Sequence, residues 1–245
     1  MAHSLSNSED KTYIVTGASR GIGKEIINHL LTTGAHVIGT STKFNINEPV
    51  HERLQMEYAD FSKIEEVNAF CECISSLEKI DGLINNAGIN IIKPVEDISY
   101  KEYSDVVSIN LTAPFVISQA VAKKMKVQGG GRIVNIASIW SEISKPQRVI
   151  YSTSKTGLVG LTRSMAVELA SYGIYVNCIS PGFTLTDLTQ QSLSTEEIND
   201  LSEKIPLGRM AQPAEIASFV CYMCSEQNTY ITGQNIVIDG GFTII

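Results

Sequence analysis

The sequence predicts an α/β fold: one doubly wound parallel sheet of about seven strands, with helices on both faces. Short apolar, β-rich runs alternate with longer amphipathic stretches along the chain. Strand then helix, repeated, builds a parallel sheet through right-handed crossovers. The strand-like runs are also nearly continuous in apolar residues, as in Ile133-Val134-Asn135-Ile136, the pattern of strands covered on both faces.

The first strand is predicted at 12–16, and the glycine-rich turn after it opens a helix over about 21–33. A second strand follows at 35–40. The crossover from Ser41 to Arg53 is too short for a full helix and contains Pro49. A third strand at 54–59 leads to a helix near 62–78. The remaining strands fall at 82–85, 132–137, 174–179 and 235–239. Helices are expected near 99–127, 150–171 and 212–226. No linker-like composition interrupts this alternation. Residues 1–10 read as a polar, loose tail and 11–245 as a single catalytic domain.

The totals exclude several function classes. A net charge of -7 opposes nucleic acid as a partner, because neutralising phosphates needs a basic face. No apolar run approaches the roughly 18 residues that cross a bilayer, and the polar N-terminus does not read as a secretion signal. The expectation is a cytoplasmic protein with no membrane partner. Cys221 and Cys224 form a C-x-x-C inside an apolar helical stretch with no histidine near. They read as small core residues, and no metal is expected.

The richest motif is Thr16-Gly17-Ala18-Ser19-Arg20-Gly21-Ile22-Gly23, between the first strand and the first helix. Glycine is needed where backbone turns tightly and comes close to phosphate, and a helix N-terminus offers free N–H groups to a pyrophosphate. The spacing T-G-x-x-x-G-x-G resembles the fingerprint of the short-chain dehydrogenase/reductase family, whose fold is Rossmann-like. The resemblance covers about residues 10–245. Asn85-Asn86-Ala87-Gly88 looks like that family's N-N-A-G. Asp60, followed by Phe61, resembles its adenine-contacting aspartate. Pro181-Gly182 looks like its P-G motif, and after Phe183 the residues Thr184 and Thr186 resemble those that grip the nicotinamide carboxamide.

An acid at the end of the second strand would hydrogen-bond the ribose hydroxyls of NAD and repel a 2′-phosphate. This strand ends instead in Thr40-Ser41-Thr42-Lys43. Lys43 and Arg20 could each meet a 2′-phosphate, since charge-assisted bonds to phosphate are strong. The cofactor reading is NADP(H), with NAD(H) as the alternative.

None of the four histidines adjoins a motif, and neither a zinc-protease nor a serine-hydrolase signature occurs. Tyr151-Ser152-Thr153-Ser154-Lys155 offers different chemistry: positions four apart share a helix face, and an ammonium beside a phenol lowers its pKa toward the useful range. With Ser138 and Asn110, the pair resembles the family's Asn-Ser-Tyr-Lys tetrad. The resemblance implies that Tyr151 protonates the carbonyl oxygen as hydride arrives from the cofactor, and that Ser138 positions that oxygen. Lys155 would lower the Tyr151 pKa and hold the nicotinamide ribose. Asn110 would anchor a water that relays protons to Lys155.

Within the family, the stretches at 15–23, 131–138 and 238–241 look most like bacterial 3-oxoacyl-acyl-carrier-protein reductases. That implies a thioester-linked ketone substrate and a homotetramer. Gly129 and Tyr172 stand where such reductases carry carrier-docking arginines, which argues against an acidic protein partner. Trp140 and Arg148, between Ser138 and Tyr151, could instead bind a sugar, a sugar nucleotide or a keto acid; the alternative is that they only pack and pair. A non-catalytic NADP-binding sensor is the remaining alternative, although such descendants usually lose the tyrosine or lysine kept here.

Overall fold

The computed structural model describes residues 11–43 and 51–245. Seven strands form one sheet: β1 (Thr12–Val15), β2 (His36–Ser41), β3 (Leu54–Tyr58), β4 (Gly82–Asn85), β5 (Gly131–Ile136), β6 (Ile174–Pro181) and β7 (Asn235–Ile238). Their spatial order is β3-β2-β1-β4-β5-β6-β7 and every pairing is parallel. The expected strands all form, with ends shifted by one or two residues. Any element within 44–50 of the short second crossover, like the tail at 1–10, lies outside the described residues.

Alternation along each strand sends side chains to two separate cores. Ile14, Leu83, Ile133 and Val176 pack under the helices α2 (Ile64–Ser76) and α4 (Ala113–Gln128) and the end of α5 (Val149–Leu169). Their neighbours Val15, Ile84 and Val134 pack on the opposite face, against α1 (Gly21–Thr32) and α8 (Pro213–Met223). Being buried on both sides is what made these strands read as unbroken apolar runs. Cys221 and Cys224 are buried on α8 in the second core. Burial pushes the Cys224 thiol up to about 12, so it is inert at neutral pH.

The predicted helix near 99–127 forms from Tyr100 to Gln128, but not uniformly. It runs as α3 (Tyr100–Val107), a π-turn over Ser108–Thr112, and α4. An 18-residue window of it is apolar enough to cross a membrane by composition, although charged residues at both ends of the helix interrupt any continuous apolar run. Its apolar residues Ile117, Val121 and Met125 are spent on the sheet, and Ser118 accepts a hydrogen bond from Asn85 Nδ2 at 2.9 Å. α4 ends at Gly129, whose φ of 90° suits glycine.

Two short helices, α6 (Asp187–Ser192) and α7 (Thr195–Glu203), follow β6. α7 begins in a capping box, with Ser194 and Glu197 capping each other reciprocally.

The chain leaves β1 outward to β2 and β3, then returns to β4 on the other side of β1. At such a reversal a crevice opens beyond the carboxyl ends of the strands, and ligands bind there.

Candidate active site

The phosphate loop spans that crevice. Gly17 and Gly21 sit at φ of 65° and 57°, conformations that cost a residue with a Cβ. A side chain on Gly17 would lie 2.7 Å from Ala87 Cα, and one on Gly23 would lie 2.3 Å from Gly17 O. Thr16 and Asn86 stitch the loop to the neighbouring motif. Thr16 Oγ1 accepts from the Asn86 and Ala87 N–H groups, both at 3.0 Å. Asn86 Nδ2 donates to Thr16 O and Gly17 O at 3.0 and 2.8 Å. Arg20 provides the N-cap of α1 without a side-chain cap, and no acid occupies the first turn. The positive end of the helix is therefore open to an anion.

A cleft of about 300 Å³ runs from this loop along the strand ends. Ser19, Arg20, Gly21 and Ile22 line it on one side, with Gly17 at the floor. Thr40, Ser41 and Thr42 close the end by β2, and Asp60 with Phe61 the end by β3. Asn86, Ala87, Gly88 and Thr186 complete the wall. The backbone cradle, its uncapped helix end and the hydroxyls at β2 fit a dinucleotide. Ala59, Ile89 and Ile109 also line the cleft. Ile89 and Ile109 each adjoin a motif residue, and that adjacency was the available signal for them.

The other expected cofactor residues do not line it. Gly23 supports the loop from beneath. Lys43 closes a turn instead: its N–H donates to Ser41 Oγ at 3.0 Å, and Ser41 Oγ donates to its carbonyl at 2.6 Å. Thr40 Oγ1 accepts from Gly17 N–H at 3.2 Å, so the second strand holds the phosphate loop directly. Asp60 is fixed by Ser62 Oγ, which donates at 2.7 Å, and its carboxyl is held below the usual range chiefly by that bond. Pro181 ends β6. Gly182 crosses so close to Asp239 that a Cβ would fall 2.7 Å from the Asp239 Cα. Phe183 packs edge-on to Trp140 with ring centroids 6.3 Å apart, and Thr184 is buried, donating to Gly182 O at 3.2 Å.

The four tetrad positions meet at the end of the cleft. The carbonyl-end position of β5 leads directly to Ser138, and α5 carries Tyr151 and Lys155 on one face. The Ser138 hydroxyl lies close enough to the Tyr151 hydroxyl to lower its pKa. Lys155 Nζ donates to Ile136 O at 2.7 Å and stands 5.7 Å from the centre of the Tyr151 ring. Gly88 links this group to the cleft: a Cβ there would lie 3.3 Å from Asn110 Oδ1 and 3.4 Å from Lys155 Nζ. Asn110 is fully buried in the π-turn; its Oδ1 accepts from Ile89 N–H at 2.9 Å, and its Nδ2 donates to Ile89 O and Ser154 Oγ. Such π-turns recur at functional sites because they reposition a side chain within a helix.

Burial raises the Tyr151 pKa, opposed by the Ser138 hydroxyl and by the positive charge of Arg148. Lys155 is itself depressed to about 8 by burial. The tyrosine therefore stays protonated in this pocket, and Arg148, which the tetrad pattern does not contain, is a further cation that acts on it. Trp140 is buried, with the Arg148 guanidinium carbon 5.6 Å and Lys145 Nζ 5.2 Å from its ring centre. Arg148 packs on Trp140 without forming an ion pair among the described residues, and its Nε and Nη1 are buried with no hydrogen-bond partner.

Residues 17–243 match a family model described as enoyl-(acyl carrier protein) reductase. The chain belongs to the short-chain dehydrogenase/reductase family. It is an oxidoreductase of that NAD(P)(H)-binding family. Among relatives of this short-chain dehydrogenase/reductase, a 3-oxoacyl-[acyl-carrier-protein] reductase of Aquifex aeolicus is 39% identical over 243 residues, covering 95% of this chain and 97% of the relative. A protein of Beutenbergia cavernae, provisionally described as an NAD(P)-dependent gluconate 5-dehydrogenase and holding NADP at low occupancy, superposes with a TM-score of 0.91 at 32% identity, over 99% of both chains. A 4-hydroxyisoleucine dehydrogenase complexed with NADH reaches 0.89 at 36% identity, over 96% and 99% of the two chains.

Proposed function

We propose that this oxidoreductase uses NADP(H) to reduce a ketone to a secondary alcohol, with Tyr151 as the proton donor. The observation that carries this reading is a half-buried tyrosine with Ser138 acting on its hydroxyl and Lys155 Nζ 5.7 Å from its ring centre, at the end of a dinucleotide-shaped cleft. The bound cofactor would supply the hydride to the carbonyl carbon. Ser138 Oγ orients the carbonyl oxygen, and Tyr151 donates its proton to that oxygen as negative charge develops there. Lys155 holds the nicotinamide ribose and passes the replacement proton to Tyr151. Asn110 anchors the water that supplies Lys155.

A lysine titrating at about 8 gives the pH dependence its sign. Lys155 is charged below that value and neutral above it. The kcat/KM for ketone reduction is therefore expected to be level on the acid side and to fall as pH rises through about 8. A profile that stays flat to about pH 10, the range of an ordinary lysine, would remove Lys155 from the proton path.

NADP(H) is favoured because no acid stands among the cleft-lining residues at the end of β2. Ser41→Asp keeps an acceptor for the Lys43 N–H and puts negative charge on the cleft wall, so the NADPH-to-NADH preference is expected to fall by about tenfold or more. Paired kinetics with the two cofactors measure this, and an unchanged ratio would contradict the account of β2.

The names of the sequence relatives favour a 3-oxoacyl thioester as the ketone, and with it a cytoplasmic homotetramer. A small polar ketone is the second reading, and two observations favour it. Gly129 occupies a left-handed turn and Tyr172 lies under Lys126 Nζ, 4.3 Å from the ring centre, so neither resembles a docking arginine. Arg148 Nε and Nη1 also lack a hydrogen-bond partner beside Tyr151. NADPH oxidation by the purified protein, with acetoacetyl thioester beside polar ketones, tests the proposal. Cofactor binding without turnover on any ketone would leave the sensor reading instead.

A further inference from the structure

We propose that the substrate ketone carries a carboxylate, and that the Arg148 guanidinium, held between Trp140 and Tyr151, receives it. The inference rests on the reductase reading above and on the second of its two substrate classes.

Arg148 is a half-buried cation with two unsatisfied donors. Nε and Nη1 of Arg148 are both buried and neither has an acceptor. Leaving a buried charge unpaired is costly, and proteins usually satisfy such a group or use it. The only acid in the loop at 139–148 is Glu142, and its Oε1 is taken by Asn235 Nδ2 at 2.6 Å. Burial lowers the Arg148 pKa, and the one group that counters this is Tyr151.

The local backbone is shaped to keep Arg148 inside. Gln147, the residue before it, has a φ of 68°, the only positive φ of a non-glycine among the described residues. Such a conformation costs about 1 kcal/mol or more for a residue with a Cβ and persists where surrounding structure imposes it. Arg148 then serves as the N-cap position of α5. Tyr151 is three residues on, hence on the same side of the helix. A ligand bonded to Arg148 is thereby carried to the hydroxyl of Tyr151 and to Ser138.

The surroundings select for an anion of single charge. Trp140 offers its ring to both Arg148 and Lys145, and Phe183 braces its edge. Lys204, at the end of α7, is close enough that its charge, with that of Arg148, lowers the Lys145 pKa below what burial alone does. Lys145 and Lys204 thus stand near Arg148 in a chain whose net charge is -7. A planar guanidinium against an aromatic face matches a carboxylate. A phosphate dianion would need a second cation in contact, and Lys145 and Lys204 are exposed.

The test uses the full chain with a series of oxo acids, their methyl esters and a phosphorylated ketone. Wild-type protein is expected to prefer acid over ester by about 20-fold or more in kcat/KM. Arg148→Gln should erase most of that preference, mainly through KM for the acids, and Arg148→Lys should restore part of it. Trp140 is the only tryptophan, so its fluorescence gives a readout independent of turnover. In the presence of NADP+, oxo acids should change that fluorescence in wild type and not in Arg148→Gln, and esters should not in either. Equal use of acid and ester by wild type would overturn the proposal, and so would a preference for the phosphorylated ketone. An Arg148→Gln loss that is the same for both members of each pair would also overturn it, making Arg148 a modulator of Tyr151 alone. If acids perturb Trp140 but no ketone is reduced, the carboxylate site stands and the reductase reading falls.

Discussion

Tyr151→Phe is expected to lower kcat for ketone reduction by about 10²–10⁴-fold, the usual contribution of a positioned acid–base group, while NADPH binding stays within a few-fold. The ring is retained, so the packing around it changes little. Only the hydroxyl that Ser138 acts on and that burial raises in pKa is lost. None of the cleft-lining residues is altered, which is why cofactor affinity serves as the control. Single-turnover reduction with NADPH measures the effect. Turnover within tenfold of wild type would show that another group supplies the proton.

Gly23→Ala carries the second large expected effect, for a different physical reason. The new methyl carbon would fall 2.3 Å from Gly17 O and 2.5 Å from Asn86 Nδ2, two atoms that now bond each other at 2.8 Å. Neither is a free side-chain end, since Asn86 Nδ2 also holds Thr16 O. Relief requires moving the phosphate loop away from the N-N-A-G segment. The expected outcome is a rise of about 100-fold or more in the NADPH Kd. Overpacking also costs about 1–3 kcal/mol, which for a chain of this size lowers Tm by several degrees, on the order of 5–10 °C. Titration with NADPH and thermal melts read both. A Kd within threefold of wild type would mean that the loop tolerates the displacement and is not the phosphate cradle.

The proposed site was legible in unequal parts. The loop glycines and Asn86 announced themselves because backbone turns and close approaches admit few residue types, and each followed a strand of plain apolar pattern. Tyr151 and Lys155 were legible because helix geometry turns a spacing of four into a shared face. The role of Lys155 beside Tyr151 was less so: its ammonium reaches Ile136 O, a backbone partner that leaves no mark in a motif. Asn110 could be picked out, but not the π-turn that presents it.

Element order, the switch point between β1 and β4, and the glycine cradle are written in local patterns of two, three and a half, and eight residues. Those patterns are enough because chain sterics and apolar burial decide them segment by segment. Which charge acts on Tyr151, and which cation keeps unsatisfied donors, only the tertiary structure decided. Electrostatics depends on distance and burial summed over every element packed nearby, so Arg148, for which the sequence left both a substrate-binding and a packing reading, becomes, once folded against Trp140, a cation with two unsatisfied donors near the reacting tyrosine.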